Sequence, residues 1–483
     1  MEITKKKSLQ NSKKGMKMPM LKGKSMIELT DIRTHKKEIY EDENLVTNAV
    51  ADLLRLNPSG LMYPIQTGNL TELENEIFPI ANKCYGGILL FEDKLEEDPN
   101  KYFAPSNNQI IGYASTDVNQ TDAPKRGSAN LTESSPIENG YKFVWDFSTS
   151  QGNGRISSLA LTHYRAGKFF YGNEYGREAC LRLNRLYKYS IKYDVLRAYL
   201  GLVEADPTNN LLISLYPREN KTLDIIKFKE AFTSVGLNDP ITGDGYQNIE
   251  KMSVGIEDFF EEKRDWYYAN FMDGKDGYWY GFNAKNTDDN VVLRRVKINK
   301  KDYSVSNDKW TLNNIRLSKI GEYRGSDSSY PFKMTASLMK NGYLYVMSYS
   351  EKEIYKINAN NPVDITKIDL GFDSAFDYGQ YTYNYLYEWG DYIMGYDFLI
   401  NSKDEIIRNY GKNQFTGDGL DYIKTPLISM GPFMLGYSSH EDTLYKTLYL
   451  HTPYLGTINN LSSPILKTAD KTMKITYTLT EEE

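Results

Sequence analysis

Cysteine and histidine are scarce in this sequence. Its 483 residues include two cysteines, Cys84 and Cys180, and four histidines. Two cysteines cannot build a disulfide scaffold, so we expect two free thiols. The histidines show no metal-ligand spacing on a common element, and we expect them to be structural. Their positions are His35, His163, His440 and His451.

Long apolar runs and a strong excess of one charge are also missing. The longest apolar runs, such as Ile88–Phe91, are far shorter than the stretch of about 20 apolar residues that a helix needs to cross a bilayer. The chain has 58 basic and 64 acidic residues and a net charge of −6. Its overall charge therefore gives no basis for nucleic-acid binding. The sequence predicts neither membrane insertion nor a nucleic-acid partner.

The usual enzyme signatures are absent. The sequence has no G-x-S-x-G, no P-loop, no G-x-G-x-x-G and no H-E-x-x-H. A glycoside hydrolase would need two carboxylates about 5–9.5 Å apart, and one acidic cluster is better interpreted as a solvated surface. Its members are Glu257, Asp258, Glu261, Glu262 and Asp265. We predict no catalytic residues, with a glycoside hydrolase as the alternative.

The first 25 residues form a basic segment with eight lysines and one acid, Glu2. A secretory signal would add an apolar stretch of about 7–15 residues, and none follows. We therefore expect synthesis in the cytoplasm. The segment is interpreted either as a solvated arm or as an arm that orders on an acidic partner. Its lysines are Lys5, Lys6, Lys7, Lys13, Lys14, Lys17, Lys22 and Lys24.

Mixed α and β patterns follow in residues 26–136. Apolar and polar residues alternate over 26–40 around a central turn, which predicts a β-hairpin. Apolar residues recur at helical spacing over 44–56, and a second helix is predicted within 70–85. Residues 86–91 read as a buried strand. Together these elements predict a small α+β domain.

From residue 137 onward one pattern recurs: a turn residue, usually Gly, followed by a short aromatic or aliphatic run. From the second copy onward the spacing is about 41 to 67 residues, and repeats of roughly 40–50 residues with several strands are typical of β-propeller blades. We predict a mainly β fold with a propeller-like body of six or seven blades, and a sandwich is the alternative. The copies begin at Gly140, Gly167, Asn210, Gly277, Gly342, Gly390 and Gly431.

The carboxy-terminal segment alternates apolar and polar residues at Met473, Ile475, Tyr477 and Leu479, which predicts a half-buried strand. This strand would either close a ring or pair with the amino-terminal domain. The predicted organisation is a basic arm (1–25), an α+β domain (26–136), a propeller-like β domain (137–455) and a closing strand (456–483).

Tyrosine is the one compositional excess, with 40 residues. Aromatic residues at every second position of a strand share one face. They can pack between blades, or they can form an exposed surface for sugars, since tyrosine offers a large contact area with few rotamers to fix. The candidate ligand-binding residues are Trp266, Tyr268, Tyr278, Tyr280, Tyr381, Tyr383, Tyr385 and Trp389.

Three acidic, glycine-rich turns at 243–245, 417–419 and 273–277 could supply some of the oxygen ligands that calcium needs. None matches the full twelve-residue calcium loop, and Asp and Gly are ordinary turn residues. We therefore predict no cofactor and no metal ligand, with a structural calcium ion as the open alternative.

Three blocks resemble minor structural and tail-fibre-like proteins, from baseplates or receptor-binding assemblies, of tailed phages and prophages of low-GC Gram-positive bacteria. They include Met26-Ile-Glu-Leu-Thr-Asp-Ile-Arg-Thr34, Gly86-Gly-Ile-Leu-Leu-Phe-Glu-Asp93 and Lys471-Thr-Met-Lys-Ile-Thr-Tyr-Thr-Leu479. The resemblance implies a homo-oligomeric component of the virion tail that contacts other tail or baseplate proteins, with residues 26–136 as its docking domain and 137–455 as its display domain. From the tyrosine-rich strands we expect this component to bind a host-surface carbohydrate, with a purely architectural role or a glycan depolymerase as the alternatives. The resemblance carries no catalytic motif.

Overall fold

The computed structural model describes most of the chain. The described residues are 20–55, 77–168, 180–188, 193–206, 211–219, 221–229, 247–257, 259, 271–317, 337–374, 386–395, 397–408, 427–440 and 443–482. Their strands form one ten-stranded sheet and five four-stranded sheets.

The ten-stranded sheet is nearly closed, like a barrel. It joins strands from the first third of the chain to the last two strands. The strands are β1 (Met20–Asp31), β2 (Lys37–Val46), β3 (Gly87–Phe91), β4 (Ile110–Ala114), β5 (Ser128–Ala129), β6 (Ser135–Ile137), β7 (Gly140–Phe147), β8 (Gly154–Thr162), β29 (Thr457–Lys467) and β30 (Lys471–Glu482). Their order in the sheet is β4-β3-β8-β29-β2-β1-β30-β7-β5, and β6 pairs with β7.

The local predictions for this region are confirmed. Strands β1 and β2 form the hairpin expected over 26–40, and β3 is the buried strand expected over 86–91. Strand β30 returns to the amino-terminal sheet and lies between β1 and β7. Met473, Ile475, Tyr477 and Leu479 point into the sheet interior and are buried, so the alternation in the sequence marks the interior face.

Four short helices accompany the sheets in the part of the chain that the structure describes: α1 (Ala49–Arg55), α2 (Ile80–Cys84), α3 (Tyr164–Lys168) and α4 (Tyr193–Leu200). Helices α1 and α2 fall in the two segments predicted as helical. Gly167 lies in α3, so the prediction that it opens a strand repeat was wrong. A side chain at this position would meet the Ala114 carbonyl oxygen at 1.9 Å, and glycine is needed because α3 packs directly against β4.

The described part of the chain contains five propeller blades, each a four-stranded antiparallel sheet. Blade one has β10 (Leu202–Asp206), β11 (Leu211–Glu219), β12 (Thr222–Lys229) and β13 (Gln247–Gly255). Blade two has β14 (Phe271–Asp273), β15 (Tyr278–Thr287), β16 (Asn290–Asn299) and β17 (Val305–Leu312). Blade three has β18 (Ser337–Lys340), β19 (Tyr343–Met347), β20 (Glu353–Asn358) and β21 (Ile365–Asp369). Blade four has β22 (Tyr387–Trp389), β23 (Tyr392–Met394), β24 (Phe398–Ile400) and β25 (Ile406–Arg408), and blade five has β26 (Ile428–Met430), β27 (Phe433–His440), β28 (Thr443–His451) and β9 (Cys180–Lys188).

The propeller prediction is confirmed, but the predicted number of six or seven blades is corrected to five. Two of the seven sequence copies belong elsewhere: Gly140 begins β7 of the ten-stranded sheet, and Gly167 lies in α3. The remaining five copies each open the second strand of a blade. In blades two to five, where this connection is described, the recurring pattern is the turn between the first and second strands.

The turn of blade three shows why glycine recurs there. Asn341 and Gly342 join β18 to β19 with φ angles of 52° and 81°. Two successive positive φ values are the geometry of the two-residue hairpin turn that favours Asn-Gly.

We expect Gly342→Ala to lower the free energy of unfolding by about 1–2 kcal/mol, because an L side chain is strained at this φ. Space is not the cause, since nothing lies within 4 Å of the added methyl group. Urea denaturation measures the change. Gly255→Ala is the control, because that glycine has no positive φ and open surroundings. Equal midpoints for the two variants would contradict the turn assignment.

The ring is closed by strands from both ends of the propeller sequence. Strand β9 precedes the other blade strands in the chain, yet it is the outermost strand of blade five and pairs with β28 from His451↔Cys180 to Leu444↔Lys188. The innermost strands of neighbouring blades lie beside one another around the ring, and β26 of blade five lies beside β10 of blade one.

The ten-stranded sheet covers one end of the propeller. Ser106 links the two parts, because its backbone N–H donates to Asp391 Oδ2 at 2.8 Å and its hydroxyl oxygen accepts from Ser402 N at 2.7 Å. Both partners lie in blade four at the end that carries the first-to-second and third-to-fourth strand turns. We call this the sheet-side face. The second-to-third strand turns lie at the opposite end, which we call the distal face.

Candidate functional site

Five of the eight candidate ligand-binding residues lie outside the described residues. Trp266 and Tyr268 belong to the connection between β13 and β14, and Tyr381, Tyr383 and Tyr385 belong to the connection between β21 and β22. Each connection runs from the outermost strand of one blade to the innermost strand of the next. Because adjacent strands are antiparallel, the described strand ends that flank both connections lie at the distal face.

The other three candidates are described and lie apart, in blades two and four. Trp389 and Tyr280 have 0% exposed surface. Trp389 packs on the His451 ring at a centroid distance of 5.1 Å, and the Tyr280 hydroxyl donates to Asp276 at 2.7 Å. Tyr278 is partly buried, with the Lys297 ammonium 4.0 Å from its ring centroid. Interior packing, the other interpretation of the aromatic clusters, is what the structure shows at Trp389 and Tyr280.

An axial channel of about 250 Å³ runs between the innermost strands of all five blades. Two acidic side chains in its wall, Glu204 and Asp273, are bridged by Lys300, whose Nζ lies 2.8 Å from Glu204 and 2.7 Å from Asp273. A third, Glu388, pairs with Lys275 at 2.5 Å. The hydrogen bonds to Asp273 and Glu204 raise the pKa of Lys300 despite its burial, which acts in the opposite direction.

These ion pairs join blades across the channel. Lys300 of blade two contacts Glu204 of blade one and Asp273 of its own blade, and Lys275 of blade two reaches Glu388 of blade four. A glycoside hydrolase needs one carboxylic acid that carries a proton to the leaving group, whereas each of these three carboxylates is engaged by an ammonium group. The described ion pairs therefore link blades one, two and four.

A second cavity, of about 390 Å³, opens at the distal face between blades two and three. We call it the distal pocket. Asp289 comes from the β15–β16 turn, Asn314 and Arg316 follow β17, and Tyr349 comes from the β19–β20 turn. Tyr349 is 46% exposed, although most of the aromatic side chains described in the propeller are buried. The complete lining is Asp289, Asn314, Arg316, Ser348, Tyr349, Ser350, Glu353 and Tyr355.

Backbone contacts between the two blades fix this pocket. Tyr349 N donates to the Arg316 carbonyl at 2.9 Å, and Leu317 forms a β-bridge with Ser348. The Arg316 guanidinium lies 4.0 Å from the Tyr349 ring centroid, within the range of a cation–π contact. The sequence pattern did not indicate this site, because its residues come from two blades and Tyr349 lies apart from the dense aromatic clusters.

The remaining sequence candidates offer no metal centre in the described part of the chain. No group of three or more His, Cys, Asp or Glu residues there could hold a metal ion. Asp273 of the 273–277 turn pairs with Lys300, whereas 243–245 and 417–419 lie outside the described residues, as does the acidic cluster except for Glu257. Cys84 is a free, buried thiol, and burial raises its pKa to about 12.

Comparisons with known proteins do not assign a function to this chain. No family model matches the chain, and no curated protein matches it. Among the described helices, none is both long and apolar enough to span a membrane. The phage-tail resemblance therefore stays a prediction.

Proposed function

We propose that this chain is an attachment component of a phage-type tail, held in the particle by its ten-stranded sheet, whose propeller binds a host-surface glycan. One observation carries the proposal: the path of the chain. Met20 pairs with Glu482 at one edge of the β1–β30 ladder, and the whole propeller is inserted between β8 and β29. A neighbour that holds the ten-stranded sheet would leave the distal face free.

The same arrangement supports binding rather than hydrolysis. The described acids of the channel are neutralised by lysines, whereas the distal face carries an open pocket with an exposed tyrosine. Weak single sites suffice when several copies act together, because the second contact is made at a high effective concentration. A symmetric homo-oligomer would supply those copies.

The test is binding of the purified full-length chain to cell walls from low-GC Gram-positive bacteria. We expect sedimentation with the walls, loss of binding after periodate oxidation of the wall sugars, and no release of reducing ends. Binding that persists after periodate treatment would point to a non-glycan receptor. Failure to bind any wall would favour a purely architectural role. Release of reducing ends would show that the chain is a glycan depolymerase.

Deleting residues 1–60 would not test docking alone, because it would remove β1 and β2 from the middle of the ten-stranded sheet. Substitutions of exposed side chains on that sheet, such as Ile39→Asp on β2, leave the interior intact because Ile39 points to solvent.

A further inference from the structure

We propose that the distal pocket binds one neutral pyranose unit of a glycan, with Tyr349 as the stacking surface. This inference rests on the proposed function and assigns it to a particular place. The pocket lies at the end of the propeller that the ten-stranded sheet does not cover, and all of its lining belongs to the described residues.

The Tyr349 ring is the first reason. It keeps 46% of its surface exposed, and the Arg316 guanidinium at 4.0 Å and the bond from Tyr349 N to the Arg316 carbonyl hold it in position. The face of an aromatic ring carries partial negative charge. The C–H groups on one face of a pyranose ring carry partial positive charge, so the two surfaces attract while apolar area is removed from water.

Hydrogen-bonding groups surround this ring. Asp289 and Glu353 provide carboxylate acceptors for sugar hydroxyls, and Asn314 and Ser350 can both donate and accept. Burial and the adjacent Glu353 raise the pKa of Tyr355, so its hydroxyl stays a donor over the physiological pH range. An apolar surface flanked by such groups is the combination that recognises a polyhydroxylated ring.

The charges around the pocket balance. Asp289 and Glu353 line it together with Arg316, which lies against the Tyr349 ring, and Lys367 is an ion-pair partner of Glu353. Two carboxylates therefore stand against two cations, so the pocket has no excess positive charge that would attract an acidic sugar, and Asp289 would repel its carboxylate at close range. We therefore assign the site to uncharged sugar units.

The experiment is a saturation-transfer NMR titration of the full-length chain with three probes. Maltotetraose and the N-acetylglucosamine tetramer are the neutral probes, and a galacturonic acid tetramer is the anionic probe. We expect a neutral probe to bind more tightly than the anionic probe. Tyr349→Ala should weaken the neutral probe at least tenfold, whereas Tyr349→Phe, which keeps the ring, should stay within about threefold; tenfold corresponds to about 1.4 kcal/mol.

Val363→Ala is the matched control, since Val363 is a 73% exposed residue of the same blade, in the β20–β21 connection at the sheet-side face. It should bind like the unchanged chain. Circular dichroism confirms that each variant is folded.

Two outcomes separate this inference from the proposed function. If Tyr349→Ala binds neutral probes or cell walls as well as the unchanged chain, the pocket is not the site, although wall binding itself would still support the attachment role. If a neutral probe binds through Tyr349 but walls do not bind, the pocket assignment holds and the attachment role fails. Stronger binding of the galacturonic acid tetramer would overturn the neutral-sugar assignment.

Discussion

A chain that ends at Asp470 should fail to form the ten-stranded sheet. Strand β30 lies between β1 and β7, so its removal would leave two strand edges facing each other across a gap. It would also remove Met473, Ile475, Tyr477 and Leu479 from the interior. At 1.5–3 kcal/mol for each buried side chain, the loss is roughly 6–12 kcal/mol, which is comparable with the total stability of a domain.

The loss should extend into the propeller. One hydrophobic core includes Ile475 and Trp145 of the ten-stranded sheet, Phe433 of blade five and Leu212 of blade one. Circular dichroism and limited trypsin digestion should show an unfolded or aggregated product. A chain ending at Thr480 is the control, because it keeps the four interior side chains and should fold. A folded chain ending at Asp470 would show that β30 is dispensable.

The second large effect concerns pH. His451 is fully buried between Trp389 and Phe103, and burial lowers its pKa to about 3 from the ordinary value of 6.5. Between these two pH values the unfolded chain binds a proton that the folded chain does not. The free energy of unfolding should therefore fall by about 5 kcal/mol as the pH falls from about 6.5 to about 3. Above pH 6.5 this group adds no pH dependence.

Denaturant unfolding at a series of pH values measures this effect. His451→Leu removes the titrating ring and keeps a similar volume, so its stability should fall less steeply between pH 6.5 and 3 than that of the unchanged chain. His35→Asn is the control, because His35 is exposed in a turn with a φ of 57°, a conformation that Asn tolerates. Equal slopes for His451→Leu and the unchanged chain would exclude His451 as the source.

Local patterns in the sequence predicted the local structure well. The alternation at 26–40 gave the β1–β2 hairpin, and the Gly-aromatic pattern marked the second strand of every described blade. The blade number was wrong because Gly140 and Gly167 share that pattern in other contexts, where a sheet strand and a close helix contact also need glycine. Pairings across hundreds of residues, such as β1 with β30, leave no periodic signal that specifies the partner.

The candidate site was harder to predict for a related physical reason. Dense aromatic clusters such as Tyr278–Tyr280 point to both faces of a strand, so they include interior side chains such as Tyr280. Tyr349 stands alone between two serines, and its importance comes from the exposure of a turn and from Arg316 of the neighbouring blade. Neither property can be read from the residues adjacent to it in sequence.

The closure of blade five also decides how mechanical load would pass through the molecule. Both chain connections between the propeller and the ten-stranded sheet leave from adjacent strands, at Cys180 of β9 and His451 of β28. Traction between a surface gripped at the distal face and an anchor on the sheet would pull β28 along its own axis. Its ladder with β27 runs from Phe433↔Leu450 to His440↔Thr443, so these backbone bonds would be sheared together instead of being unzipped one after another.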